Sequence, residues 1–189
     1  MIGFTQEEDA RRVMAVLPKR FGKYGLTVHP EKTGLISFRR PPHASRPRGG
    51  PDGDRPGTFD LLGFTHYWSR SRKGNWVVKR KTAASRFTRA VRRIAHWCKT
   101  NRHRPIREQH LTLSQKLRGH YAYYGITGNS VALNRFREEV RRVWRKWLVR
   151  RKRGNRPAWS WFIRLQERYC LPYVVTIHSV CRKRSKGVT

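Results

Sequence analysis

The sequence predicts an α+β fold: a small helix–strand segment, a β-hairpin, a basic three-helix bundle and a short C-terminal helical extension. Three observations carry that reading. Apolar residues recur at helical spacing over most of residues 80–153. Two aromatic and β-branched runs within 59–79 flank a polar turn. A Pro/Gly/Arg-rich stretch at 39–58 separates the first segment from everything after it.

In chain order, Thr5-Gln6-Glu7-Glu8 reads as a capping box that opens a helix. Ala10, Val13, Met14, Leu17, Phe21 and Tyr24 lie on one side of it. Pro18 is expected to kink or interrupt the helix, and Gly25 to end it. Leu26–Val28 and Leu35–Phe38 read as short strands around a turn at Pro30–Thr33. Residues 1–38 carry six basic and four acidic side chains and too little apolar surface to fold alone, so they read as the last piece of a larger sheet domain.

Residues 39–58 hold five Pro, four Gly and five Arg, the composition of a loop. Asp52 and Asp54 lie within it, and such a loop does not preorganise two carboxylates for a metal. Phe59–Trp68 then reads as a strand with a bulge at Gly63. Ser69–Asn75 turns the chain and Trp76–Lys79 returns, giving a hairpin over 59–79 on which a nucleic-acid strand could lie. Trp68 and Trp76 are candidates for base stacking, with burial equally open.

From Lys79 to Arg153 there are 23 Lys and Arg against Glu108, Glu138 and Glu139, a net charge of +20. Thr82 is expected to begin a helix with Phe87, Val91, Ile94, Ala95 and Cys98 inward, broken over Asn101–Pro105. A second helix runs from about Ile106 to Tyr124 with Leu113, Leu117, Tyr121 and Tyr124 on one face. Gly119 costs a helix roughly 1 kcal/mol against Ala, so something large is expected to approach the backbone there. Ser130 caps a third helix with Leu133, Phe136, Val140, Val143, Trp144 and Trp147 inward. A solvated charged face alternates signs. These faces do not, which points to Arg86, Arg89, Arg92 and Arg93, with Arg141, Arg142, Arg145 and Lys146, as nucleic-acid backbone contacts. Residues 154–189 add a helix over Trp159–Tyr169, an extended Val174–Ile177 and a basic tail at Arg182–Lys186.

Composition narrows the partner. The chain has 44 Lys and Arg against 11 Asp and Glu, net +33, and repels itself unless a polyanion neutralises it. Nucleic acid is the expected polyanion, and an anionic membrane surface is the rival. No apolar run approaches the ~18 residues of a membrane span, so a cytoplasmic protein is expected. Cys98, Cys170 and Cys181 are far apart and no metal site is read from them or from the scattered histidines. Arg outnumbers Lys and is interleaved with aromatics, which favours structured RNA or single strands.

Several segments in a fixed order resemble one family: Pro30–Phe38 (PEKTGLISF), the basic loop, Phe59–Trp68 (FDLLGFTHYW), Gly74–Thr82 (GNWVVKRKT) and Leu117–Ile126 (LRGHYAYYGI). Together they resemble bacterial group II intron-encoded reverse transcriptase/maturases over nearly the whole chain. The resemblance implies that 1–38 end a polymerase palm. It implies that Phe59, Leu61, Leu62, Gly63 and Phe64 form a primer-grip-like segment, and that 80–153 form the maturase-specific X, or thumb, domain. It also implies group II intron RNA as partner, and RNA-assisted splicing. The family's Tyr-x-Asp-Asp motif, whose carboxylates bind Mg²⁺, would fall just before Phe4 and is not in this sequence. Glu7, Glu8 and Asp9 fit a helix start instead. The expectation is therefore no catalytic residue, no metal and no cofactor in this chain, with Mg²⁺ arriving only with a missing palm. The alternative is the C-terminal half of a split reverse transcriptase, acting on an RNA–DNA duplex once a separately encoded N-terminal half completes it.

Overall fold

The computed structural model describes residues 2–30, 33–42, 57–151 and 159–177, which form an α+β protein of two units, Met1–Phe59 and Asp60–Thr189. The first unit is built on helix α1 (Glu7–Gly22). Glu7, Glu8 and Asp9 complement the positive end of its dipole, while Gln6 stands at the N-cap with no side-chain cap bond. The expected capping box is thus absent. Pro18 lies inside a continuous helix rather than ending it. Tyr24–Leu26 close the helix with Gly25 at φ 69°.

Leu26–Val28 and Leu35–Phe38 do not form the expected strands. A strand needs a partner ladder, and none is present among the described residues of this unit. Phe38 instead sets its ring edge-on to Phe59 at 4.8 Å. Ile2, Val16, Tyr24, Leu26, Leu35 and Ile36 remain exposed, which leaves this unit with an uncovered apolar surface.

The second unit begins with a three-stranded sheet in the order β1 (Phe59–Leu61), β2 (Phe64–Arg70), β3 (Trp76–Thr82). Here the sequence reading needs correction. Phe59–Trp68 is two strands joined by a two-residue turn, with Leu62 at φ 51° and Gly63 at φ 82°. Two successive positive φ values are the signature of a type I′ hairpin, which turns the chain back where a bulge would only bend it. The second turn runs over Ser71–Asn75, with Gly74 at φ 79° and the Ser71 and Asn75 backbones bonded at 2.8 Å. The β2–β3 ladder pairs Phe64 with Thr82 and Arg70 with Trp76.

Helices α2 (Ala84–Thr100), α3 (Ile106–Tyr124) and α4 (Ser130–Val149) pack as the expected bundle, with α5 (Trp159–Arg168) against them. Helix α2 starts two residues later than read, because Thr82 stays in β3 and Ala83 donates its N–H to the Gly63 carbonyl at 2.9 Å. The shared seam consists of Ile94 and Cys98 of α2, Leu113, Leu117 and Tyr121 of α3, Leu133, Phe136, Val140, Trp144 and Leu148 of α4, and Phe162 and Leu171. Burying each large apolar side chain there contributes about 1.5–3 kcal/mol. Gln109, 1% exposed, keeps the seam's polar atoms paired: it accepts from Trp144 Nε1 at 3.0 Å and donates to the Arg104 carbonyl at 2.8 Å.

Asn129 joins sheet to bundle. Its Oδ1 accepts from the Thr82 backbone N–H at 2.9 Å, and its Nδ2 donates to Thr82 Oγ1 at 2.8 Å and to the Tyr124 carbonyl at 2.9 Å. It occupies the N-cap of α4, so Ser130 is the first helical residue and not the cap. Close backbone approach, expected at Gly119, occurs at Gly125. A Cβ on Gly119 would meet nothing within 4 Å, whereas one on Gly125 would strike the Tyr121 carbonyl and lie 3.0 Å from that of Val175. The Ile177 N–H donates to the Gly125 carbonyl at 2.8 Å.

These placements set opposite outcomes for two glycines. A Cβ on Gly63 would sit 3.0 Å from the Tyr124 hydroxyl at a left-handed φ, so Gly63→Ala lowers unfolding stability by about 1–2 kcal/mol. Gly119→Ala raises it by roughly 0.5–1 kcal/mol, because the exposed helix gains propensity without a clash. Asn129→Ala, which strands the buried Thr82 N–H and removes the bond to the Thr82 hydroxyl, costs about 3 kcal/mol. Urea midpoints of the three variants check all of this.

Candidate nucleic-acid interface

Helix α2 turns Ile94 and Cys98 into the seam, which leaves its cations on the exposed side. Arg86, Arg89 and Arg93 recur at steps of three and four and share one face. Helix α3 brings Lys116, His120 and Tyr124 alongside at steps of four. With Ala90, Ile94 and Phe136, these residues line a groove of about 390 Å³. Arg92 is exposed outside the groove. No ion pair involves Arg86, Arg89, Arg92 or Arg93 among the described residues.

The aromatic side of the groove is closely packed. The His120 ring stacks on Phe136 at 3.9 Å and 24°, and lies 4.5 Å from the Tyr124 ring. His120 Nε2 is shut off from solvent with no hydrogen-bond partner among the described residues, a condition that costs roughly 1–3 kcal/mol. Burial also holds the ionisation of His120 down to about 4, so the ring is neutral at pH 7. Burial raises the Tyr124 hydroxyl pKa, with Tyr123 adding to the effect and Arg86 opposing it. Lys116 sits 5.8 Å over the Trp97 ring.

The Leu62–Gly63 turn lies beside this groove, since the Gly63 Cβ position is 3.6 Å from Arg86 Cγ as well as close to Tyr124. Tyr123 donates its hydroxyl to the Leu62 carbonyl at 2.8 Å and stacks on Phe64 at 5.9 Å. Within the primer-grip-like segment, Phe64 is buried, Phe59 and Leu61 are half-buried, and Leu62 is 75% exposed at the turn's tip. A leucine held at positive φ with its side chain in solvent is an unfavourable choice for folding alone.

The cations of α4 stand differently from those of α2. The sequence reading had them facing outward without opposing charge. Arg141 pairs with Glu138 and Arg142 with Glu139, each at 3.1 Å. Arg141 and Arg145 also cover the Trp159 ring at 5.2 and 4.4 Å, and Lys146 is exposed near Trp147. Helix periodicity puts an acid three residues from each pairing arginine, and α5 supplies the ring. Arg137 works wholly inside the protein, donating to the Leu171 and Pro172 carbonyls at 3.2 and 3.1 Å.

Of the two stacking candidates, Trp76 is 6% exposed, beneath the Arg70 guanidinium at 4.8 Å, and belongs to the core. Trp68 is half-buried in the ladder opposite Val78. The loop carboxylates Asp52 and Asp54 and the tail Arg182–Lys186 lie outside the described residues. Sequence reasoning missed Lys116, His120 and Tyr124 as partners of the α2 arginines. Their four-residue spacing was visible, but which helix they would face was not.

The neutral, buried His120 makes stability depend on pH. Its folded pKa lies below the usual 6.5, so the unfolded chain takes the proton first. Its contribution is complete above pH 6.5 and is lost as pH falls towards 4. His120→Phe keeps the stack on Phe136 and removes that dependence, roughly 2 kcal/mol after allowing for partial exposure. Urea unfolding of both proteins from pH 7.5 to 4 reads the difference. Comparison with protein-family models, with curated proteins and with solved structures found no match to this chain.

Proposed function

We propose that the chain is an RNA-binding maturase fragment that assists group II intron splicing by binding intron RNA. One observation carries the RNA-binding part: Arg86, Arg89 and Arg93 share a face, form no ion pair among the described residues, and converge with Lys116 on an aromatic-walled groove. Guanidinium groups make bidentate phosphate contacts and stack on bases, and the groove offers both kinds of partner. The intron part rests on the ordered sequence resemblance. In this reading the RNA carries out the splicing chemistry. The protein favours the active RNA fold by binding it more tightly than competing folds.

The exposed apolar surface of the first unit favours the second reading of a half-enzyme completed by an N-terminal polypeptide. Such a complex would copy RNA into DNA, with Mg²⁺ held by the added half. Mixing the two halves and assaying cDNA synthesis separates this reading from the first.

For the first reading, affinity for a group II intron transcript falls at least ~10³-fold between 50 and 200 mM salt if about six to ten phosphates are neutralised. Replacing Arg86, Arg89 and Arg93 with Gln lowers affinity and flattens the log–log salt slope by about three. Arg142→Gln, already ion-paired, changes the slope by less than one. Adding the unaltered chain at limiting Mg²⁺ raises the splicing rate. Salt-independent binding, or an unchanged splicing rate at saturating protein, defeats the proposal.

A further inference from the structure

Resting on the RNA-binding reading above, we propose that the α2–α3 groove is a pocket for a single unstacked nucleotide. Its base would lie against His120 and Tyr124, and its phosphates against Arg86, Arg89, Arg93 and Lys116. A site for duplex backbone alone needs only an exposed row of cations. This one is recessed. Its volume of about 390 Å³ is at the lower end of the range for ligand pockets, about 300–1,000 Å³, and suits one nucleotide.

Chemistry divides the groove as it divides a nucleotide. Three arginines and a lysine supply the charge, and the half-buried His120 and Tyr124 supply flat aromatic surface. The imidazole is uncharged at neutral pH, so the base meets an aromatic face rather than a further cation. Bulges and loops are where RNA presents bases in this way, and stacking on aromatic side chains accepts any base. The pocket therefore selects unpaired nucleotides over a continuous helix, a preference that charge alone does not provide.

The test uses the full chain and three RNA hairpins of equal length of stem: fully paired, with one bulged 2-aminopurine, and with an abasic residue at the bulge. The bulged hairpin binds about 5- to 150-fold more tightly than the abasic one, the range expected for one stacked base. Its 2-aminopurine fluorescence is quenched further on binding. Ala90→Phe fills the groove without removing a charge, and it abolishes the preference and the quenching. Circular dichroism confirms that the variant is folded, and if it is not, the abasic comparison in the unaltered chain decides alone. Equal affinity for all three hairpins, with unchanged fluorescence, overturns the pocket and leaves the RNA-binding reading standing. Absence of binding to any of them overturns both.

Discussion

One buried amide holds the second unit together as a functional object. Asn129 touches the end of β3, the last turn of α3 and the start of α4, and its amide oxygen is the acceptor for the buried Thr82 N–H. Apolar packing can bring a small sheet and a helical bundle together, but it is non-directional and tolerates sliding. The Asn129 bonds do not, because a displaced amide would leave the Thr82 N–H unsatisfied at a buried site. That register sets where the Leu62–Gly63 turn arrives, and therefore what lies beside Arg86 and Tyr124. The groove is a consequence of the joint.

Charge is distributed with the same economy. A chain of net charge +33 could have been uniformly repulsive, yet five of its eleven acids lie on α1 and α4, and four of those pair with arginines there. On α4 they hold arginines down, and Trp159 covers two of them, so that this face carries packing as well as charge. Arg137 and Arg151 go further and serve as hydrogen-bond staples to backbone carbonyls. Helix α2 has no acid at all and keeps its cations free of ion pairs among the described residues. The contrast between the two helices is the physical basis for assigning them different work.

The two units also differ in how complete they are. The bundle closes its own core around Leu113, Leu117, Leu133 and Trp144, all at 0% exposure. The first unit has helix α1 with Ala10 as its buried residue and leaves large apolar side chains in solvent. Helix formation needs only local hydrogen bonds, whereas strand formation needs a neighbour, so α1 appears and the two expected strands do not.

Periodicity by itself determined the α+β class, the three bundle helices to within about two residues, and nearly all of their inward positions. It did so because helix hydrogen bonds and seam burial both repeat on a scale that adjacent residues encode. Charge balance likewise determined that the outer faces are cationic. Only the tertiary structure decided that Gly63 turns the chain rather than bending it, that Gly125 and not Gly119 is closely approached, and that Asn129 is the joint. Only it divided the arginines into those engaged by Glu138, Glu139 and Trp159 and those converging with Lys116, His120 and Tyr124 on one groove. The joint and the groove depend on distant partners, such as Thr82 with Asn129 at 47 positions and Leu62 with Tyr123 at 61, and no local pattern names a partner at that distance; the Glu138 and Glu139 pairs, three residues from their arginines, are local.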